Sequence, residues 1–143
     1  MQITGNSLFT CLTRKNTKGK MPSNAYEVGV EIDDNFLISK TANDKEQDWL
    51  SDYIGDHTKD IKYKGKDGKE VDKSIFKISN ARFPIPLFDE NAVPMERAVP
   101  IPNGTSITLE LEKKFSDEFN KDYLVVKAVK LNQHIEEYNP FAK

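Results

Sequence analysis

Strict alternation of apolar and polar residues is the feature that most constrains this chain. From Ala25 to Ile32, Tyr26, Val28, Val30 and Ile32 alternate with Ala25, Glu27, Gly29 and Glu31. From Ser106 to Lys113, Ile107, Leu109 and Leu111 alternate with Ser106, Thr108, Glu110 and Glu112. A period of two puts all apolar side chains on one face, so each stretch predicts an antiparallel strand with one wet face. Tyr123–Leu131 breaks this rule: Leu124, Val126 and Ala128 line one face, and Tyr123, Val125, Val129 and Leu131 the other. A strand apolar on both faces must be covered on both, here by the 84–105 segment or by a second subunit in a homodimer. Shorter strands are expected at Leu8–Leu12 and Ile75–Phe83.

One helix is predicted at about 43–55. Asn43 can cap it with Glu46 three residues on, and Asp44, Glu46 and Asp48 suit the positive end of the helix dipole. Trp49, Leu50, Tyr53 and Ile54 form one apolar stripe, and Gly55 suits the position after the last turn. Between this helix and the next strand, Ile61–Val71 reads as a lysine-bearing hairpin turning at Asp67-Gly68. Five prolines, Pro84, Pro86, Pro94, Pro100 and Pro102, forbid a central strand over 84–105 and predict an extended connection across the surface. Arg14–Lys20 reads as a basic loop. These elements suit a single mainly β domain, 1–143: a five- or six-stranded barrel of the OB type with one inserted α-helix and a short C-terminal tail at about 135–143.

The chain has 143 residues and a net charge of −2, without the strongly basic balance of many nucleic-acid binders. The charge is unevenly spread. Residues 61–83 carry seven basic and three acidic side chains, whereas 41–60 carry two and six. A polyanion is steered by local field rather than by net charge. No apolar run is long enough for a membrane helix, and the N-terminus has neither the basic nor the apolar region of a signal peptide. The single cysteine, Cys11, excludes an internal disulfide and fits a reducing cytoplasm.

Catalytic signatures are missing from the sequence. His57 and His134 lack metal-ligand spacing, no glycine-rich phosphate loop or nucleophile elbow occurs, and Asp44, Glu46, Asp48 and Asp52 read as the solvated face of the helix. No enzymatic activity, metal or cofactor is expected. What the sequence offers instead is cations interleaved with aromatics, the combination that binds single-stranded nucleic acid. The candidate contacts are Arg14, Lys15, Lys18 and Lys20 in the loop, Lys62, Lys64, Lys66 and Lys69 on the hairpin, and Lys77 and Arg82 on the following strand, with Tyr63 as the stacking ring. Phe76 and Phe83 cannot share a strand face, so at least one belongs to the core.

Several stretches together resemble the OB-fold single-stranded-DNA-binding proteins of tailed bacteriophages. They are Asn6-Ser7-Leu8-Phe9 followed by Ala25–Ile32, the acidic helix with Trp49-Leu50, Pro86–Pro94, Pro102–Leu109 followed by Tyr123–Leu131, and Glu136–Phe141. The resemblance implies sequence-tolerant binding of single-stranded DNA in phage replication or recombination, without catalysis, in the host cytoplasm. It also implies replication or recombination proteins as partners of the C-terminal tail. In this chain that tail is short and ends in Lys143 rather than in a long acidic run. The competing expectation is a non-enzymatic β-barrel interaction module, such as a virion or adaptor protein.

Overall fold

The computed structural model describes residues 1–135; of the C-terminal tail expected at about 135–143 to contact partners, residues 136–143 lie outside the described residues. Among the described residues, eight strands and one helix follow in the order β1 (Gln2–Asn6), β2 (Tyr26–Glu31), β3 (Leu37–Lys40), α1 (Asp44–His57), β4 (Thr58–Lys64), β5 (Glu70–Ala81), β6 (Leu87–Phe88), β7 (Ser106–Ser116) and β8 (Lys121–Leu131). They form a five-stranded sheet, β3-β1-β7-β8-β6, and a three-stranded sheet, β2-β5-β4. The two sheets close on each other. Residues 2–12 pair with β7 on one side and, through the bridges Ser7–Val30 and Cys11–Glu27, with β2 on the other. β2 pairs with β5, β5 lies beside β8, where Asn80 Nδ2 donates to the Leu124 carbonyl at 2.8 Å, and β8 pairs with β7. That circuit is the mainly β, OB-type barrel expected from the sequence; β3, β4 and β6 are additions at its edges.

β7 follows the alternation rule, with Ile107, Leu109 and Leu111 buried in the core. β8 does not have two apolar faces. Glu110 is paired with Ala128 and Leu111 with Val126, so Lys127 is the extra residue of a β-bulge. A bulge shifts the phase by one residue: Leu124 and Val126 point inward before it, Val129 and Leu131 after it. The apolar surplus that suggested a second subunit is thus accounted for within one chain. The 84–105 segment does more than cross the surface. Its short strand β6 pairs parallel with β8 at the sheet edge, and Ile85, Leu87, Val99 and Ile101 enter the core.

The expected strand at Leu8–Leu12 is absent. Between the bridges Ser7–Val30 and Cys11–Glu27 the first segment takes four steps and β2 three, and Phe9 sits at φ +54°, which a non-glycine residue rarely adopts. The ladder is broken there, and this chain segment folds over β2. It approaches so closely that a Cβ on Gly29 would lie 2.1 Å from the Leu8 carbonyl oxygen. This also explains why the expected wet face of β2 is covered: Ala25, Glu27 and Gly29 are buried.

The helix is capped as expected: Asn43 Oδ1 accepts from the Glu46 amide at 2.9 Å, and Glu46 Oε1 accepts from the Ala42 amide at 2.9 Å. It runs past Gly55, which is helical rather than the residue after the last turn, and stops at His57 because Thr58 is extended. Leu50 and Ile54 are buried in the common core. α1 then passes into β4 with no intervening loop, and the β4–β5 hairpin turns at Gly65–Lys69 with Gly68 at φ +78°. No helix among the described residues is long and apolar enough to cross a membrane.

Candidate nucleic-acid interface

The outer face of the β2-β5-β4 sheet carries a groove of about 310 Å³ lined by Phe9, His57, Lys59, Ile61, Lys62, Tyr63, Ile75, Lys77 and Ser79. The strand register explains its composition. Lys59 is opposite Ile75, Ile61 opposite Lys73 and Tyr63 opposite Val71, so alternate residues of β4 and β5 share this face. Ile61 and Ile75 give an apolar floor. Tyr63 and Phe9 stand at one end with ring centroids 5.0 Å apart, edge to face. Phe9 reaches this position because the irregular step at residues 7–11 ejects it from the barrel. Its amide donates to Asn103 Oδ1 at 2.9 Å, and its ring remains 40% exposed. His57 stacks on Tyr53 at 4.0 Å, with Nδ1 2.8 Å from the Tyr53 carbonyl. That carbonyl can only accept, so Nδ1 carries the proton and Nε2 is left for other partners.

The cations divide into two groups. Lys77 Nζ lies 3.4 Å from Glu27, a carboxylate that also accepts from Asn16 Nδ2 at 2.9 Å and Ser79 Oγ at 2.8 Å. Lys73 Nζ bonds Glu31 at 2.9 Å, and this hydrogen bond raises the lysine above its ordinary pKa. Both lysines are half-buried and already neutralised. Lys62 is exposed and lies 3.7 Å from Glu70 and 3.9 Å from Asp72, pairs that are weak in water. Among the described residues, Arg14, Lys15, Lys18, Lys20, Lys59, Lys64, Lys66, Lys69 and Arg82 form no ion pair, and all nine side chains are exposed.

The expected contacts therefore do not share one place. Tyr63, Lys62 and Lys77 line the groove. Lys64 is opposite Glu70, on the other face of the hairpin from Tyr63, and Lys66 and Lys69 lie at its tip. The 14–20 loop leaves from the Glu27 end, where Asn16 bridges it to the groove-lining Ser79 through Glu27. Arg82 stands in a separate depression. Sequence reading missed Phe9, His57 and Lys59. Phe9 sat in an expected apolar strand, and only the count of residues between two bridges exposes it. Phe76 is core and Phe83 is 82% exposed, which resolves the face argument.

Cys11 neighbours this site. Burial pushes its thiol up, but hydrogen bonds at Thr13 and Arg14 outweigh burial and leave it below its ordinary pKa. No group of three or more His, Cys, Asp or Glu side chains among the described residues is placed to hold a metal ion.

No protein-family model matches the chain, and no curated protein matches it in sequence. Among solved structures it is similar to gp2.5, a single-stranded DNA binding protein encoded by bacteriophage T7, with TM-score 0.45 and 10% identity, covering 100% of this chain and 96% of that one.

Proposed function

We propose that the chain binds single-stranded DNA with little sequence preference, as a non-catalytic partner of reactions that expose single strands, namely phage DNA replication and recombination. The observation that carries this reading is the groove on the β2-β5-β4 face, where Phe9 and Tyr63 stand beside an apolar floor and exposed lysines. Rings of this kind accept the face of any base, at about 1–3 kcal/mol per stacked base, and cations follow the phosphates. Lys59, Lys62, the hairpin tip and the 14–20 loop would supply the phosphate contacts. Lys77 would shape the groove more than it neutralises DNA, because Glu27 already pairs with it.

Titration of tyrosine and tryptophan fluorescence with oligo-dT tests the reading. Saturable quenching that weakens with salt is expected, with a Phe9→Ala variant binding at least about fivefold less tightly. Absence of any binding at low salt would refute it.

A further inference from the structure

A second depression, of about 430 Å³, lies where β5 passes β8 and is lined in part by Arg82, Phe83, Lys114, Val125 and Lys127. Its chemistry repeats that of the first groove: an aromatic ring open to water, an apolar floor and cations, with no carboxylate in the lining among the described residues. Phe83 is the most exposed aromatic side chain among the described residues at 82%. Arg82 and Lys114 form no ion pair among the described residues, whereas Lys127 lies 3.3 Å from Glu112. Lys127 is the bulged residue of β8, just as Phe9 belongs to the irregular step beside β2. In both places a break in the ladder turns a side chain outward. The depressions are joined by β5 itself, since Ser79 lines the first and Asn80 the second.

We propose that this second depression is a distinct binding segment for the same single strand, Phe83 taking a base and Arg82 and Lys114 its phosphates. The inference rests on the single-strand reading above. It commits to nucleic acid because a ring framed by unpaired cations suits a base with its phosphates, and because the depression continues along the strand that carries the first groove.

The test compares oligo-dT of roughly 4 and roughly 16 nucleotides, the two ends of the usual range for one OB fold. The short oligonucleotide is expected to seat in the first groove, which offers more aromatic surface. Phe83→Ala should leave its affinity within about twofold of the parent, yet weaken the long one by about fivefold or more. An Arg82→Ala, Lys114→Ala double variant should lower the salt slope for the long oligonucleotide by about 1.4 and leave the short one unchanged. All three side chains are exposed, so melting curves like the parent's are expected. If both variants bind the long oligonucleotide like the parent while Tyr63→Ala weakens it, the second segment is refuted and the depression serves a protein partner or none. Equal weakening at both lengths also refutes a separate segment. If the parent binds neither length, the single-strand reading itself fails.

Discussion

Two sets of lysines on the same sheet behave in opposite ways. Lys73 and Lys77, in the middle of β5, are half-buried and held by Glu31 and Glu27 at 2.9 and 3.4 Å. Lys64, Lys66 and Lys69, a few residues away at the hairpin end, are exposed and form no ion pair among the described residues. In sequence the two sets are indistinguishable members of one basic segment. In space the first belongs to the scaffold and the second is available to a polyanion. A local surplus of positive charge becomes a binding surface only where the fold leaves it without partners.

The largest effect is expected where the scaffold is tightest. Gly29→Ala would drive a Cβ into the Leu8 carbonyl, so a loss of about 3 kcal/mol in stability is expected from chemical denaturation, together with displacement of Phe9 and weaker oligo-dT binding. Retention of parental stability would show that residues 7–12 do not press on β2 as described. Next comes Lys77→Met, which strips a partner from a largely buried carboxylate. It should cost about 1–3 kcal/mol in stability while leaving the salt slope of binding nearly unchanged. A flattened slope with parental stability would reverse the assignment of the two lysine sets.

Lys73 adds a pH dependence. Its folded pKa is raised by the bond to Glu31, so its contribution to stability is full below the ordinary lysine value of 10.5 and fades as pH rises through the higher folded value. The melting temperatures of Lys73→Met and the parent should therefore differ at neutral pH and converge in strong alkali; a constant gap would mean that the charge is immaterial. The smallest effect is expected at Ser7, whose buried hydroxyl has no hydrogen-bond partner among the described residues. Ser7→Ala should leave the melting temperature unchanged or slightly raised, because an unsatisfied polar atom is removed. A clear drop would reveal a bond to that hydroxyl.

The legible parts of the fold were those governed by local rules. β7 alternates without interruption, and the α1 cap depends on residues three apart, so both could be read directly. β1 and β3 went unread because they are short strands at the start and edge of a sheet, with little alternation to mark them. β8 misled because a single bulged residue, Lys127, exchanges the two faces, and no local signal in Val125-Val126-Lys127-Ala128 announces it. The candidate site was half legible for the same reason. Tyr63 stands among lysines in sequence, and so it was seen. Phe9 joins it only through an irregular pairing with β2 and a bond from its amide to Asn103, ninety-four residues away. The pairing of Lys77 with Glu27 spans two strands and was equally invisible.

Single-strand binding by the hairpin face, through stacking in the groove and charge at the tip, is the proposal on which the rest depends. It is tested most directly by measuring oligo-dT affinity as a function of salt for the parent, for Tyr63→Ala, and for Lys66→Ala with Lys69→Ala, the two lysines of the tip. Phosphate contacts release counterions and stacking does not. Tyr63→Ala should thus shift the log–log line by about 1–3 kcal/mol with its slope preserved, and the lysine pair should flatten the slope by about 1.4. Three superimposed lines would contradict the claim and leave the hairpin a solvated surface.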